Sequence, residues 1–405
     1  MRLSSQRNMR PDFAIILGEL SGVTALNGGV GHRYKILIDY FLDHNLNFKV
    51  LVFGGRGAQL PAGANIYVET WGRVVPWPIR SIYRVLFARL WIKIVSPRVV
   101  LSPDWEGLCS FCPKDVPLVT NLVTNLELIH EIGNVRKTSN FLRIFGYNLQ
   151  MYLEVRQTKR SRSLIAISQA LKTWTEARYR DLAPIQVVPN FLTQEDFSLS
   201  TADLEIFRDH NESPFLLFVG RLEIRKGILE TFEAFAKLLV EFPELNLYLA
   251  GSEGDTRTEP SRVELLATLP PEAGARVKFL GNLSKSQLYS AMQSSEMVLT
   301  PSRWEGFGNA TAEAMAVGAA VVATSGSGFA DFCRHGFNSF LVKPNDSEDL
   351  ATGIRELLRN PELRSKLKRN ASKISQTLSV DVLGLNYLKI IESQSQDDVN
   401  GFLQK

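Results

Sequence analysis

The sequence predicts an α/β protein with two Rossmann-like, doubly wound domains that face each other across a cleft. Its 405 residues exceed what one compact core usually holds, so two domains are the simplest count. In each half of the chain, short apolar runs alternate with longer segments of helical period. Such alternation builds parallel sheets covered by helices, and ligands bind beyond the carboxyl ends of their strands.

Residues 1–192 are predicted to form the amino-terminal domain. Apolar runs bounded by turn residues predict strands at Phe13–Leu17, Phe48–Phe53, Val99–Ser102, Pro117–Thr120, Leu164–Ile167 and Gln186–Val188. The spacing of apolar residues predicts helices at Tyr34–Leu46 and Ile82–Val95. The polar, acidic stretch 193–213 that follows is predicted to be a linker.

The same pattern restarts in residues 214–378, which we predict to form the second domain. Its expected strands are Phe215–Val219, Leu245–Ala250, Val277–Leu280, Met297–Leu299, Ala320–Ala323 and Ser339–Val342. Its expected helices are Ile228–Glu241, Ser286–Ser294, Ala310–Ala316 and Asp349–Leu358. Residues 379–405 contain a last helix near Val380–Ile391, which we expect to cross back to the first domain.

Charge is distributed unevenly along the chain. Residues 1–196 carry 24 Lys+Arg against 15 Asp+Glu, and the remainder carries 22 against 27, so halves of +9 and −5 give the net +4. The basic half favours an anionic partner, either a phosphorylated acceptor or a lipid surface, and we expect no nucleic-acid partner. No apolar run approaches the length of a membrane span, which predicts a cytoplasmic protein with at most peripheral contact at the inner membrane face.

The three cysteines, Cys109, Cys112 and Cys333, cannot form an even disulfide framework. Cys109-Ser-Phe-Cys112 has no second metal-binding pair elsewhere in the chain. We therefore expect reduced, buried thiols, although a redox or metal role for the pair remains an alternative.

Two cations follow the first strand of the second domain. Val219-Gly220-Arg221-Leu222 ends that strand, and Lys226-Gly227 precedes the next helix. An Arg, a Lys and helix amides at a strand-loop-helix junction suit one anion, and a diphosphate fits that description. Two solvated surface cations are the alternative for this spacing alone.

Two glutamates lie eight residues apart in the segment from Pro301 to Gly318. Glu305 precedes a glycine-rich turn, and Glu313 lies on the following helix. Gly306 and Gly308 let the backbone approach a ligand, and the exposed amides at the helix start can donate to sugar or phosphate oxygens. Carboxylates accept hydrogen bonds from vicinal hydroxyls, so one could hold a sugar and the other a ribose.

In this order, these motifs resemble the retaining GT-B glycosyltransferases of family 4, the glycosyl transferases group 1. The resemblance extends from about Phe215 to Leu358 and includes Gly318–Thr324 after the two glutamates. It implies a nucleotide-sugar-binding second domain and an acceptor-side first domain. The implied donor is a UDP- or GDP-linked sugar, and the implied acceptor is a hydroxyl in polysaccharide, glycolipid or glycoconjugate synthesis.

The resemblance also implies roles for individual residues. Gly220, Arg221 and Lys226 would bind the donor diphosphate, Glu305 the donor sugar, and Glu313 the ribose hydroxyls. Arg221, Lys226 and Glu305 would be the catalytic groups, with Glu305 stabilising positive charge near the anomeric carbon. The remaining implied donor contacts are the backbone around Phe307, Gly308 and Asn309 and the loop with Asn282 and Leu283, which lies where the family binds the base.

The first domain is similar to the family in fewer places. Asn27-Gly28-Gly29-Val30-Gly31 resembles the glycine loop that approaches the donor phosphates, which implies a contact at Gly29. A dinucleotide fingerprint is the alternative, but the glycines are not spaced G-x-G-x-x-G. The chain departs from the family twice: Asn121–Asn125 stands where many members have a His, with His130 several residues later, and Gly328-Phe329-Ala330-Asp331 ends in Asp rather than Glu.

Retention in the family implies front-face substitution, in which the leaving diphosphate helps to deprotonate the incoming hydroxyl. We expect no cofactor and no metal, since no Asp-x-Asp pair is placed to carry a divalent ion. The acceptor, a glycan or a lipid-linked sugar, is expected on the first domain, where Asp104-Trp105-Glu106 follows a strand and could position an acceptor hydroxyl. Helix capping is the alternative for these residues.

A helical segment from Trp77 to Lys93 mixes aromatic and basic residues, which suits a membrane interface as well as ordinary packing on a sheet. Two other functions stay open. A nucleotide-sugar epimerase would bind the same donor without an acceptor. A non-catalytic sugar-nucleotide-binding relative would explain the missing His, but the presence of all four charged motif residues disfavours it. A dehydrogenase would need a fingerprint that the chain lacks.

Overall fold

The computed structural model describes residues 10–24, 28–54, 65–132, 141–192, 214–255 and 259–395. The chain divides into two compact units. The amino-terminal unit consists of the described residues of Met1–Glu131, Lys137–Phe191 and Val380–Lys405. The carboxy-terminal unit consists of those of Leu192–Ser379, together with Ile132. The predicted linker, 193–213, lies outside the described residues.

The amino-terminal unit contains a parallel sheet of seven strands in the order β3-β2-β1-β4-β5-β6-β7. The strands are β1 Phe13–Leu17, β2 Phe48–Phe53, β3 Ile66–Glu69, β4 Val99–Pro103, β5 Leu118–Leu122, β6 Ser163–Ala166 and β7 Ile185–Val187. The six predicted strands are all present within one or two residues. β3 was not predicted, because it is a four-residue edge strand whose side chains are only partly buried.

The helices of this unit are α1 Gly29–Asp43, α2 Ile79–Val95, α3 Leu126–Ile132, α4 Phe141–Arg160 and α5 Gln169–Arg178. α1 begins five residues before the predicted start, since Gly29 and Gly31 weaken the helical pattern in the sequence. α4 was not predicted, because its buried residues include the polar Glu154, Gln157 and Thr158 and give no apolar period.

The carboxy-terminal unit contains a parallel sheet of six strands in the order β10-β9-β8-β11-β12-β13. The strands are β8 Phe215–Val219, β9 Asn246–Ala250, β10 Val277–Gly281, β11 Met297–Thr300, β12 Val321–Thr324 and β13 Phe340–Val342. Its helices are α6 Ile228–Leu238, α7 Arg262–Ala267, α8 Pro271–Gly274, α9 Lys285–Ser294, α10 Asn309–Ala316, α11 Ser347–Arg359, α12 Pro361–Ala371 and α13 Ile374–Thr377. The predicted strands again match within one or two residues.

The last helix, α14 Val380–Gln394, packs on the amino-terminal unit. Tyr387 is fully buried, with its ring centroid 6.3 Å from that of Phe191. The guanidinium of Arg33 in α1 lies 5.3 Å from the centre of the Tyr387 ring and donates to its hydroxyl. Gly384 provides room for this packing, because a Cβ there would lie 2.7 Å from the Tyr40 ring. Helix α14 is therefore part of the core of this unit.

Each sheet has one point at which the strand order reverses. In the amino-terminal unit β1 lies between β2 and β4, with Phe13 paired to Val99. In the carboxy-terminal unit β8 lies between β9 and β11, with Leu216 paired to Met297. The loops that leave the two central strands diverge at such a switch point and open a crevice beyond the carboxyl ends, where doubly wound sheets bind ligands.

None of the helices in the described part of the chain is both long enough and apolar enough to cross a bilayer.

Candidate functional site

An ion pair lies at the switch point of the carboxy-terminal sheet. Lys226 ends a single helical turn, Ile224–Lys226, in the connection after β8, and Glu305 lies in the loop after β11. The Lys226 ammonium contacts the Glu305 carboxylate directly, and the Ser302 hydroxyl donates to the same oxygen at 2.8 Å. The side chains are 19% and 14% exposed, so the pair is largely shielded from water but still accessible.

Burial and charge act in opposite directions on this pair. Burial alone would raise the pKa of Glu305, but the charges of Lys226 and Arg225 and the hydrogen bonds from Lys226 and Ser302 outweigh it and hold that pKa below its usual value. Burial lowers the pKa of Lys226, and Glu305 opposes that shift. Glu305 is therefore a carboxylate at neutral pH, and each member of the pair neutralises a charge that is costly to bury alone.

The two loops that carry this pair are bonded to each other and to α6. The Arg303 amide donates to the Arg225 carbonyl at 2.8 Å, and the Arg303 guanidinium pairs with Glu230 of α6 at 2.7 Å. Gly227 lies between them with φ +76°, and a Cβ there would approach the Pro301 carbonyl oxygen to 2.1 Å. Only glycine therefore fits at this crossing. Sequence reasoning did not identify Arg225, Arg303 and Glu230, because their contacts link separate segments.

Arg221 does not join the pair. Its guanidinium bonds the Glu223 carboxylate at 2.8 Å, and its side chain is 58% exposed. Gly220 does lie beside Lys226, since a Cβ on Gly220 would be 3.9 Å from Lys226 Cδ. The structure thus brings Lys226 and Glu305 together, whereas the Arg221 side chain is more than half exposed. The role of Arg221 in donor binding stays a prediction.

Helix α10 begins beside the same loop. Gly308, with φ +103°, precedes Asn309 at the helix start, and no side chain caps the helix there. The Phe329 ring occupies the space next to Gly308, 2.3 Å from where a Cβ would be, so a side chain is excluded. The Phe307 side chain is buried against Phe332, with ring centroids 4.9 Å apart. Any ligand contact of Phe307 therefore has to come from its backbone.

Three further predicted residues lie on this helix and at the edge of the sheet. Glu313 lies one turn into α10 and is half-buried. Asn282 and Leu283 follow β10 at the carboxyl edge of the sheet, after Gly281, whose carbonyl accepts the Gly251 amide at 2.8 Å. β10 is an edge strand, two strands away from β8. Their assigned ligand contacts remain predictions.

The Asp331 segment supports Glu305 through its backbone. Within the turn Ser327–Asp331, the Gly328 amide donates to the Glu305 carbonyl at 2.9 Å. The Glu305 amide donates to the Ser327 hydroxyl at 3.3 Å. This turn therefore fixes the backbone on both sides of the Glu305 side chain, whichever acidic residue ends it.

In the amino-terminal unit, the glycine loop already has a carboxylate next to it. α1 begins at Gly29, and the preceding residue, Gly28, has no side chain with which to cap the helix. The Gly31 amide donates to Glu19 Oε1 at 2.8 Å. A phosphate near Gly29 would have to share these amides with Glu19. Asn27 of the predicted motif lies outside the described residues.

Asp104, one of the predicted acceptor residues, is buried. Its side chain is 1% exposed and accepts the Val123 amide at 3.0 Å, which joins the loops after β4 and β5. Burial raises its pKa to about 7 despite these backbone hydrogen bonds. Trp105 is half-buried beside it. The acceptor contact at Asp104 stays a prediction, and the Glu106 carboxylate of the same loop is the more exposed of the two, at 30% of its side chain.

Asn121 lies in the segment where many family members have a His, and its side chain has a structural role in this chain. The Asn121 side chain is buried and donates to the Ile165 carbonyl at 3.0 Å, which links β5 to β6. His130 packs edge-on against Tyr147, with ring centroids 5.3 Å apart, and burial lowers the pKa of its imidazole.

In the described part of the chain, the cysteines are free thiols and no cluster of metal-binding side chains is present. Cys109, Cys112 and Cys333 are free and buried, and burial raises the pKa of Cys112 to about 12. In the ranges that the structure describes, no group of three or more His, Cys, Asp and Glu side chains is placed to hold a metal ion.

A parallel α/β unit with a shielded cation–carboxylate pair and an uncapped helix start at its switch point is suited to an anionic ligand that also carries hydroxyls. Comparison with known proteins is consistent with a unit that binds such a ligand. Residues 202–374 match the family described as Glycosyl transferases group 1. The chain therefore carries a glycosyl transferases group 1 domain, and it coincides with the carboxy-terminal unit.

The relatives that the chain matches are glycosyltransferases. Two uncharacterized glycosyltransferases of Methanocaldococcus jannaschii are 30% and 28% identical over 230 and 191 residues, which are 55% and 47% of this chain and 57% and 51% of the relatives. The chain thus spans little more than half of their length. It is 27% identical over 374 residues to the phosphatidyl-myo-inositol mannosyltransferase of Mycolicibacterium smegmatis, which covers 91% of both chains.

Solved structures share the fold at low identity. Sucrose-phosphate synthase of Thermosynechococcus elongatus superposes with a TM-score of 0.73 at 18% identity, over 94% of this chain and 98% of that chain. Anabaena HepE, solved in complex with UDP-glucose, gives 0.69 at 21% identity over 94% and 99%. These likenesses confirm the predicted fold class, GT-B with two Rossmann-like α/β domains.

The buried Glu154 of α4 gives a testable pH dependence. It accepts the Leu126 amide at 2.8 Å and the Glu106 amide at 3.1 Å, yet burial raises its pKa to about 8. An acid whose pKa is raised on folding stabilises the protein below its unfolded pKa, and that stability is lost as the pH rises through the folded value. We therefore expect the melting temperature to fall between about pH 6 and about pH 9, by a smaller amount in Glu154→Gln.

Circular dichroism melts of both proteins at the two pH values measure this difference. Glu176→Gln removes an exposed carboxylate from the neighbouring α5 and is the control, with the wild-type pH dependence expected. An unchanged pH dependence in Glu154→Gln would show that this carboxyl does not titrate in that range.

Proposed function

We propose that the protein is a retaining glycosyltransferase of family 4 that transfers a sugar from a UDP- or GDP-linked donor to an acceptor hydroxyl. The observation that carries the proposal is the Lys226–Glu305 pair at the switch point of the glycosyl transferases group 1 domain. A cation next to a carboxylate offers one group for a diphosphate and one for sugar hydroxyls, at the place where this fold binds ligands.

Donor binding would use the spare hydrogen-bonding capacity of the pair. An ammonium has three donors and a carboxylate about four acceptor positions, so neither group is saturated by the other. The diphosphate would bind Lys226 and the start of α10, while Glu305 accepts from the sugar and Glu313 from the ribose. Arg221 is exposed, and Arg225 also pairs with its partner Glu223 at 2.8 Å, so Arg221 can turn toward the diphosphate without leaving that buried carboxylate unpaired.

The proposed reaction needs charge stabilisation more than a protein base. The bond between the anomeric carbon and the diphosphate oxygen breaks with its electron pair going to the diphosphate. The acceptor oxygen forms the new bond on the same face, and its proton passes to a diphosphate oxygen. Lys226 and the α10 amides stabilise the growing negative charge, and Glu305 the positive charge at the anomeric carbon. We propose that no metal or other cofactor takes part.

The relatives indicate which donors and acceptors to try. Neighbouring structures were solved with UDP and UDP-glucose, and one relative that matches over 91% of the chain is a phosphatidyl-myo-inositol mannosyltransferase. We therefore propose a nucleotide-sugar donor and a glycan or lipid-linked acceptor, in polysaccharide, glycolipid or glycoconjugate synthesis.

Substitution of the pair and of the ribose contact tests this proposal. Lys226→Ala and Glu313→Ala should each weaken binding of the productive UDP- or GDP-sugar by about tenfold or more, as expected for loss of a hydrogen bond to a charged group. A thermal-shift screen of nucleotide sugars identifies the donor, because saturating ligand stabilises the folded protein. Isothermal titration of the variants then measures the change in Kd.

Lys237→Ala is the matched control, since Lys237 forms an exposed ion pair on α6 with Glu348. It should bind the donor like the wild type. Equal affinity of Lys226→Ala and wild type would contradict the proposed diphosphate contact. Isomerisation of the donor in the absence of any acceptor would instead favour the epimerase.

A lipid partner is supported by an exposed apolar face of the amino-terminal unit. This apolar face comprises Ile79, Ile82, Leu86, Leu90 and Ile94 of α2 and Phe141, Leu142, Ile144 and Phe145 at the start of α4. The two helix starts adjoin, because Gly146 lies against the Trp77 ring just before α2. Lys93 and Arg143 are exposed beside these residues. We propose peripheral binding to the cytoplasmic face of an anionic membrane.

Charged substitutions on this face should release the protein from lipid. Leu86→Glu/Leu90→Glu should reduce sedimentation with phosphatidylglycerol–phosphatidylcholine vesicles by about tenfold or more, since a buried leucine contributes about 1.5–3 kcal/mol. Val240→Glu/Val263→Glu adds the same charge at exposed valines of the carboxy-terminal unit and should bind like the wild type. Equal loss in both double variants would point to general charge repulsion instead.

A further inference from the structure

In each sheet, a carboxylate in an ion pair follows the strand beside the first strand, at the switch point. In the carboxy-terminal unit, Glu305 follows β11, the strand beside the first strand β8, and pairs with Lys226. In the amino-terminal unit, Glu106 follows β4, the strand beside the first strand β1, and pairs with Arg84 of α2 at 2.7 Å. The proposed function uses the first pair and leaves the second without a role.

The Glu106 carboxylate lies over the end of β1. A Cβ on Gly18, the residue after β1, would lie 2.7 Å from Glu106 Oε2. One guanidinium nitrogen of Arg84 bonds both carboxylate oxygens, at 2.9 and 2.7 Å, and the guanidinium packs over the Phe53 ring at 5.5 Å. The Glu106 side chain keeps 30% of its exposure, so a ligand in the crevice can reach it.

The backbone at Glu106 is held in an unfavourable conformation. Its φ is +67°, in the left-handed region that residues with a Cβ avoid. The Glu106 amide donates to Glu154 Oε1 at 3.1 Å, and Gly107 packs so closely on Leu153 that a Cβ there would lie 2.6 Å from the Leu153 Cβ. Two contacts with α4 thus force the turn that points Glu106 toward β1, and such forced strain is concentrated at binding and catalytic sites.

We infer that Arg84 and Glu106 are the acceptor-binding pair, and that Glu106 accepts hydrogen bonds from adjacent hydroxyls of an uncharged sugar or cyclitol ring. The inference rests on the proposed glycosyl transfer. Arg84 uses only part of the acceptor capacity of the carboxylate, and its remaining N–H groups can donate to a ring oxygen. The pair therefore recognises vicinal hydroxyls through both an acceptor and a donor.

Local charge favours an uncharged ring over a phosphate at this point. Glu19 follows Gly18 directly, and its carboxylate bonds the start of α1. The Glu106 carboxylate also lies against Gly18, since a Cβ on Gly18 would be 2.7 Å from its Oε2. Two carboxylates against the one cation Arg84 would repel a phosphate bound over Gly18, whereas hydroxyls can donate to either carboxylate. A phosphate or lipid group on the acceptor would therefore lie away from this crevice.

Two variants alter the site in different ways. Glu106→Gln removes the charge but keeps the shape. Gly18→Ala keeps the charge and displaces the carboxylate, which can yield because its contact atom ends a flexible side chain. Both should raise the acceptor KM about tenfold or more, with myo-inositol or methyl α-D-mannopyranoside as acceptor. Donor hydrolysis without acceptor, measured as nucleotide release, should stay at the wild-type rate in both.

Asp39→Asn, which breaks an exposed ion pair on α1, is the control and should leave the acceptor KM unchanged. Melting temperatures identify any variant that fails to fold, and saturation-transfer NMR of the two acceptors measures binding without turnover. An unchanged acceptor KM in folded Glu106→Gln and Gly18→Ala would overturn the inference. So would tighter wild-type binding of myo-inositol phosphate that Glu106→Gln does not weaken. Absence of donor binding in the wild type would count against the glycosyl transfer itself.

Discussion

The shielded contact between Lys226 and Glu305 is the interaction on which the account of this protein depends. Neither charge is stable alone at this depth, so the two loops that carry them must stay together. The Arg303–Glu230 pair and the crossing at Gly227 hold the loops in that position. Such a site is organised around one positive and one negative group before a ligand binds, which reduces the cost of ordering it on binding.

The same architectural rule positions both candidate sites. A doubly wound sheet brings the ends of two neighbouring strands together where its order reverses, and each unit places a carboxylate after the second of these strands. The carboxylates differ in their surroundings. Glu305 is supported by Ser302 and Lys226, whereas Glu106 is held by Arg84 and by a strained turn against α4. The Glu305 site thus lies beside a helix start that favours phosphate binding, whereas the Glu106 site has a second carboxylate nearby that disfavours phosphate.

Local sequence patterns predicted most of the fold and part of the site. Apolar runs identified the strands that are buried on both faces. The motif around Lys226 and the motif around Glu305 were each recognisable because the residues within one motif are close in sequence. The patterns failed where burial is polar or contacts are distant. Helix α4 hides Glu154 in its core face, and Arg84 meets Glu106 from another element. The burial of Asp104 could not be predicted either, because the Val123 amide that it bonds lies in a different loop.

The most direct measurement is a crystal structure of the protein with its UDP- or GDP-sugar donor. The account predicts a diphosphate oxygen within hydrogen-bonding distance of the Lys226 ammonium, and a donor-sugar hydroxyl bonded to Glu305. A diphosphate bound elsewhere, with Lys226 still paired only to Glu305, would contradict it.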